Sequence, residues 1–242
     1  MPTLFSASGR RFAPSWPITV LVVVLFVAFI GLGRWQWHRG EAKQATWAEY
    51  ERDQPPARVA DSELDLIGRF TRVSLDGHFA PDHQFLLDNR SHAGQPGYEV
   101  LTPFILGSGR AVLVNRGWVP FTGYRDRLPD VSLADTSART LSGRIEELPA
   151  PGLASGRAPP AGDAVWPKLT SFPSHEELEA ALGLKTTRRL LLLDPKLPDG
   201  YVREWTPPGL PPDRHFSYAI QWWGFALVLL VLYFGLNFRK VS

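Results

Sequence analysis

The sequence predicts a membrane protein in which two transmembrane α-helices flank a mainly antiparallel β-barrel or sandwich-like domain with one short helix. Two apolar segments near the ends of the 242-residue chain predict the helices. Short alternating or β-branched runs between them, separated by turn residues, predict the β domain. We expect an N-terminal tail, a first helix, the β domain, a second helix and a C-terminal tail over residues 1–15, 16–33, 34–214, 215–238 and 239–242.

The second apolar segment, residues 218–238, contains no charged residue. At a rise of about 1.5 Å per residue, it matches a hydrocarbon core about 30 Å thick. Aromatic and polar residues crowd its start, and Arg239 and Lys240 follow its end. Trp and Tyr at that depth usually anchor a helix at the membrane interface. His215 and Gln221 need a further explanation.

The first apolar segment, residues 18–33, reaches a spanning length when Trp16 and Pro17 are added. A cleaved signal peptide is the alternative, because Gly31-Leu32-Gly33 resembles a weak cleavage site. The apolar region is longer than in most signal peptides, so we expect the segment to be retained. Residues 34–52 predict a helical continuation that ends at Gln54-Pro55-Pro56.

The distribution of Lys and Arg around the first helix weakly favours a cytoplasmic loop between the two helices. Arg10 and Arg11 precede this helix, whereas Arg34, Arg39 and Lys43 follow it. A loop longer than about 60 residues is translocated largely regardless of its charge, so the short tails should decide. We therefore expect cytoplasmic tails and a periplasmic β domain.

Composition excludes several classes of function. A net charge of +2 indicates no polybasic surface for nucleic acid. The absence of cysteine excludes disulfides, cysteine zinc sites, iron–sulfur clusters and covalent haem attachment, so that any haem would be bound non-covalently. Met1 is the only methionine, which argues against a copper chaperone.

Six runs predict the main strands, and four groups of residues predict the turns between them. The strands are expected at 70–75, 83–87, 98–106, 111–119, 140–145 and 189–193, and the turns at 76–77, 89–94, 107–109 and 128–130. Ser174-His175-Glu176-Glu177 predicts a capping box that opens a short helix to about Leu182. Residues 149–163 predict a mobile surface loop, and 207–212 an extended spacer.

Two polar groups in the β domain have an ordinary structural interpretation. His78, His83 and His92 lack the spacing of metal ligands. Asn115-Arg116-Gly117-Trp118 follows an apolar run, and we interpret it as a turn whose carbonyl groups satisfy Arg116. A ligand-binding role for Arg116 is the alternative.

One face of the second helix combines His215 with aromatic residues. His215, Tyr218, Ala219 and Trp222 are spaced i, i+3, i+4 and i+7, so they share a helical face. An imidazole beside flat aromatic rings suits axial ligation of haem iron, and Arg214 could contact a propionate. His38, at the outer end of the first helix, could supply the second axial ligand. From these residues alone, the favoured interpretation is that His215 only forms a hydrogen bond at the membrane interface, and haem ligation is the alternative.

Four blocks of the chain carry a family pattern. They are Trp35-Gln36 with Arg39 and Lys43, then Leu87-Asp88-Asn89-Arg90 with Gly94 and residues 97–103, then residues 112–120, and finally residues 215–226. In this order they resemble the signature blocks of the surfeit-locus-one family. The resemblance covers nearly the whole chain, and residues 149–173 match least. His38 and Gly40 are not part of the pattern, so the role of His38 rests on chemistry alone.

The resemblance implies an assembly factor, not an enzyme, that assists the insertion of haem a into the large catalytic subunit of cytochrome c oxidase. It implies His215 as the haem ligand. We expect haem a synthase and membrane lipid as further partners, and no nucleic acid. Because little chain precedes the first helix, leaving no room for a mitochondrial transit peptide, we expect a bacterial inner membrane. A cofactor-free scaffold for oxidase subunits is the alternative, and an enzyme is disfavoured because no catalytic constellation can be assembled.

Overall fold

A computed structural model describes residues 6–7, 10–52, 54–151, 156–160, 162 and 165–240. The chain divides into two compact units, one formed by Met1–Glu51 with Pro207–Ser242 and the other by Arg52–Thr206. The elements in chain order are β1 (Ser6–Ala7), β2 (Arg10–Phe12), α1 (Trp16–Glu51), β3 (Ala57–Arg58), a 3-10 helix (Leu64–Leu66), β4 (Arg72–Phe79), β5 (Phe85–His92), β6 (Gln95–Leu106), β7 (Ala111–Pro120), β8 (Arg139–Glu146), β9 (Lys168–Thr170), α2 (His175–Leu182), β10 (Thr186–Leu193), α3 (Pro212–Asn237) and β11 (Phe238–Lys240).

The first unit contains α1 and α3, which pack against each other and are both long and apolar enough to cross a membrane. As predicted, α1 continues without a break beyond Arg34, to Glu51. The helix α3 begins at Pro212, so the last residue of the predicted spacer belongs to the helix instead. Proline suits the first helical position because it lacks an N–H that would have no partner there.

Beyond the ends of these helices, β1, β2 and β11 form a small antiparallel sheet in the order β1-β2-β11. The sequence predicts only tails at residues 1–15 and 239–242, and it does not predict these strands. Strands this short leave no periodic pattern to recognise. Phe12 joins the sheet to α3 through ring contacts at 5.8 and 5.7 Å with Tyr233 and Phe234, and it lies 5.3 Å from the ring of Phe238 in β11.

The second unit is the predicted β domain. Its sheet has the order β3-β4-β8-β10-β7-β6-β5-β9, and β4 also pairs with β6, so that β4, β8, β10, β7 and β6 form a closed barrel. Most neighbouring strands are antiparallel, as predicted. The pairs β7–β10, β5–β9 and β3–β4 are parallel, which strand patterns alone could not indicate.

Two predicted turns lie within strands. Gly77 is in β4 at the point where this strand pairs with both β8 and β6. A Cβ there would lie 2.2 Å from the carbonyl oxygen of Ile105, so the glycine permits close strand approach and not a turn. Asn89 has φ 59° at an irregularity in β5, and the chain reverses only at Ala93-Gly94. Asparagine tolerates this backbone conformation better than most residues.

The leucines of β10 show how the core is divided. Leu191 and Leu193 belong to one cluster with residues of β4, β7 and β8, whereas Leu190 and Leu192 pack in a second cluster with Leu178 of α2. Successive strand residues point to opposite faces of a sheet. The barrel is therefore packed on its inside and is covered by α2 on part of its outside.

The predicted capping box at the start of α2 is confirmed. Ser174 Oγ accepts from the N–H of Glu177 at 3.2 Å, and Glu177 Oε2 accepts from the N–H of Ser174 at 2.7 Å. Gly183 ends the helix with φ 67°, a conformation that glycine adopts without strain. Residues 152–155, 161 and 163 of the predicted mobile loop lie outside the described residues, so its mobility stays a prediction.

Candidate functional site

His215 lies in the first turn of α3 and faces α1. Its side chain is partly buried, and its Nδ1 lies 2.9 Å from Oε1 of Gln36. Because an amide oxygen can only accept, a hydrogen bond in this arrangement requires the hydrogen on Nδ1. Among the described residues, no hydrogen bond is formed to Nε2 of this imidazole. The nitrogen with the free lone pair is therefore the one suited to bind a metal.

The predicted aromatic face of α3 is divided between packed and open side chains. Ala219 is fully buried, and Trp222 is partly buried with its ring 5.7 Å from that of Phe29 on α1. Tyr218 is 44% exposed, and Arg214 is also exposed. Tyr218 and Arg214 are thus open to a ligand, whereas Trp222 already packs in the helix pair.

His38 lies on a different face of α1. Its Nδ1 is 3.0 Å from Oε2 of Glu41, and its side chain is 61% exposed. Two residues along an α-helix correspond to a rotation of about 200°, so His38 and Gln36 project in nearly opposite directions. Although α1 and α3 pack side by side, this arrangement does not bring His38 next to His215.

Aromatic side chains of α3 are seated on glycines of α1 on both sides of the polar pair. A Cβ on Gly33 would lie 2.3 Å from Trp223, and a Cβ on Gly40 would lie 2.7 Å from Phe216. Trp37 contacts both aromatic rings, at 5.6 and 4.8 Å between centroids. These contacts determine how α1 and α3 are aligned, and hence where Gln36 meets His215.

Arg116 is 2% exposed and lies inside β7, so the predicted turn is wrong. The neighbouring Gly117 has φ 113°, and its Cβ would lie 2.6 Å from the carbonyl oxygen of Val202. The N–H of Trp118 donates to that same carbonyl at 2.8 Å. Glycine is needed at position 117 because the segment around Val202 passes close to the strand. In the sequence, such a glycine cannot be distinguished from a glycine in a turn.

The guanidinium of Arg116 has several partners, and burial lowers its pKa. As the sequence interpretation proposed, carbonyl groups accept from it: Asp199 O at 2.6 Å and Val131 O at 3.2 Å. Side chains are the other partners, with Gln84 Oε1 at 2.9 Å, Thr102 Oγ1 at 3.4 Å and the ring of Tyr201 at 5.1 Å. These contacts support the structural interpretation of Arg116.

Two of the family blocks meet on neighbouring strands of the β unit. Asn115 of β7 donates to Oε2 of Glu99 on β6 at 2.8 Å, and the same oxygen lies 3.8 Å from Nε of Arg90 on β5. Asp88 pairs with Arg125 at 2.6 Å. Asn115, Glu99 and Arg90 of these blocks therefore contact one another across the sheet, whereas Asp88 pairs with a residue outside the blocks.

The three histidines of the β unit have separate surroundings. His83 lies 4.9 Å from the ring of Trp166, and His92 lies 5.2 Å from that of Trp118. His78 lies within β4. Within the ranges that the structure describes, no group of three or more His, Asp or Glu side chains could hold a metal ion.

A cavity of about 670 Å³ lies beside the start of α2. Three arginines line it, and each is paired with a glutamate: Arg157 with Glu177, Arg188 with Glu176 and Arg189 with Glu147. The positive charges are therefore compensated. This cavity lacks the excess charge that an anionic ligand would require.

Gln36 belongs to a family block, but the sequence does not identify it as the partner of His215. The available signal was an amide between Trp35 and Trp37, directly after the apolar segment of α1. Polar side chains of membrane helices can form hydrogen bonds to a neighbouring helix. No local pattern could name the partner, because 179 residues separate Gln36 from His215.

Comparison with known proteins identifies the family. The SURF1 family model matches residues 23–227. A SURF1-like protein of Mycobacterium tuberculosis, itself uncharacterized, is 28% identical over 226 residues, which cover 89% of this chain and 80% of that protein. A SURF1-like protein of Rickettsia felis is 25% identical over 88% of this chain and 94% of its own length. One from Monosiga brevicollis is 32% identical over 48% of each chain. The chain therefore belongs to the SURF1 family, a family of oxidase assembly factors.

Proposed function

We propose that this protein assists assembly of a haem-copper terminal oxidase by holding haem a before it enters the large catalytic subunit. The observation that carries the proposal is the imidazole of His215, whose Nδ1 is occupied by Gln36 and whose Nε2 is free to bind iron. Metal-bound histidines typically have such a hydrogen bond on the second ring nitrogen. The donor set therefore fits haem a as a cargo.

The residues around His215 supply the remaining contacts. Tyr218 offers an exposed aromatic ring one turn further along α3, and Trp222 supports the same face from its packed position. The guanidinium of Arg214 is exposed and suits a propionate. A single protein ligand leaves the second axial position of the iron open, which would favour transfer over permanent binding.

The proposed setting is the bacterial inner membrane, with α1 and α3 as two transmembrane spans. Both tails would lie in the cytoplasm and the β unit in the periplasm. The contacts of Gly33 and Gly40 with α3 support retention of α1 over its removal as a signal peptide. The proposed partners are the large catalytic subunit of cytochrome c oxidase, which would accept haem a, and haem a synthase, which would supply it.

The second candidate function is a cofactor-free scaffold that binds oxidase subunits during assembly. The complete burial of Ala219 and the packing of Trp222 against Phe29 favour it, because part of the predicted haem face is occupied by α1. In that case the bond between His215 and Gln36 would serve only to join the helices. Neither candidate requires catalysis.

Absorption spectra separate the two functions. The full chain should be purified in detergent from cells that make haem a, as wild type, His215→Ala and His38→Ala. We expect haem a in the wild type, loss of it in His215→Ala and retention in His38→Ala, because His38 lies on another face of α1. Unchanged haem content in His215→Ala would remove His215 as the ligand. A wild-type protein without haem would favour the scaffold.

A further inference from the structure

We propose that Gln36 is a positioning residue that holds His215 in the tautomer able to bind iron. This inference rests on the proposed haem-binding function. The contact from which it is drawn involves only the side chains of Gln36 and His215. The Oε1 of Gln36 lies 2.9 Å from Nδ1 of His215. A neutral imidazole has a single N–H. A hydrogen held on Nδ1 leaves Nε2 as a lone-pair donor.

The position of Gln36 is set by the aromatic contacts on both sides of it. Gly33 and Gly40 are three residues before and four residues after Gln36, so the three share one face of α1. Trp223 and Phe216 are seated on these glycines. Neither helix can slide without clashes of these rings with backbone. The amide oxygen is therefore held opposite the imidazole at a defined point along the helix pair.

An uncharged acceptor suits the transient binding of a cargo. A carboxylate at the same position would draw the Nδ1 hydrogen more strongly and make Nε2 a stronger electron donor to iron. The amide of Gln36 fixes the tautomer without this effect. The glutamine thereby permits iron binding that remains weak enough for release.

The tautomer can be measured without haem. Nitrogen-15 spectra of the full chain in detergent, labelled at histidine, would report which nitrogen of His215 carries the hydrogen, and the His215→Ala spectrum assigns the signal. We expect the hydrogen on Nδ1 in the wild type and in Gln36→Glu, and its redistribution toward Nε2 in Gln36→Leu. Gln44→Leu, at an exposed position of the same helix, is the matched control and should resemble the wild type.

A wild-type spectrum with the hydrogen on Nε2 would overturn the proposal, as would identical spectra for wild type and Gln36→Leu. Gln36→Glu guards against misfolding as the explanation, because it keeps the acceptor and should restore the signal that Gln36→Leu loses. Helical circular dichroism of each variant gives an independent measure of folding.

Haem-loaded protein gives the second readout. Loss of a hydrogen-bond partner behind a metal ligand typically weakens binding by about 10- to 100-fold, and we expect that loss for Gln36→Leu. Gln36→Glu should retain haem and show a lower reduction potential than the wild type. If the wild type binds no haem, the proposed function fails while the tautomer result stands. If His215 is required for haem but Gln36→Leu equals the wild type in affinity and potential, the inference about Gln36 fails alone.

Discussion

The indole of Trp223 fills the space that a side chain at Gly33 would need. A Cβ on Gly33 would lie 2.3 Å from Nε1 of this indole, a distance that real Cβ atoms essentially never show. Small residues at a helix crossing allow two helices to approach closely. The packing of α3 against α1 therefore requires glycine at position 33.

Gly33→Ala should therefore destabilise the helix pair. The matched control is Gly31→Ala, because a Cβ on Gly31 would have no atom within 4 Å. Alanine is favoured over glycine in a helix by about 1 kcal/mol, so the control should be neutral or stabilising. Thermal unfolding in detergent, followed by circular dichroism, measures the difference. Equal melting temperatures for the two variants would contradict the seating of Trp223 on Gly33.

Arg116→Ala should lower the free energy of unfolding of the β unit. The substitution removes the donor to Gln84 Oε1 and to the carbonyl groups of Val131 and Asp199, at a cost of about 1–3 kcal/mol. Arg58→Ala is the control, since Arg58 is 81% exposed and its pair with Asp76 contributes at most about 1 kcal/mol. Denaturant unfolding and protein accumulation measure both. A fully stable Arg116→Ala that fails in oxidase assembly would assign Arg116 to the functional site.

The pair formed by Glu176 and Arg188 should make stability depend on pH. The hydrogen bond from Arg188 lowers the pKa of Glu176 from 4.5 to about 2. A lowered pKa in the folded state stabilises the protein above about pH 4.5, and this contribution disappears as the pH falls through about 2. The destabilisation caused by Glu176→Gln should therefore be constant near neutral pH and vanish by about pH 2.

Denaturant unfolding across this pH range measures the difference between wild type and Glu176→Gln. Arg188→Gln removes the other half of the pair and should weaken the same pH dependence. A difference that is as large at pH 2 as at pH 6 would show that the charge of Glu176 is not the cause.

A periplasm-specific reporter tests the proposed topology. Fused after Ser242, alkaline phosphatase should remain inactive, because the tail is expected in the cytoplasm. Inserted between Ser108 and Gly109, in an exposed hairpin of the β unit, it should be active. The opposite pattern of activity would reverse the orientation, and an N-terminal sequence that starts near Arg34 would indicate a cleaved signal peptide.

The sequence by itself determined the elements whose signal is local. A charge-free stretch of spanning length predicted α3, and Ser174 with Glu177 predicted the start of α2, because both depend on residues within a few turns of one helix. The family blocks likewise pointed to His215 without a structure. These local patterns could not predict which residue is the hydrogen-bond partner of each polar group.

Only the tertiary structure decided those partners. The sequence predicts that Gly77 and Gly117 lie in turns. In the structure, each lies in a strand and allows another segment, remote in sequence, to pass close to its backbone. Arg116 finds its acceptors on segments up to 83 residues away, and His215 finds Gln36 at a separation of 179. Periodicity reports which face of an element is apolar, whereas a hydrogen bond between elements depends on their relative placement. That placement arises from the packing of the whole unit. The sequence alone was therefore enough to identify His215 as a candidate, whereas the fold decided which of its ring nitrogens is free.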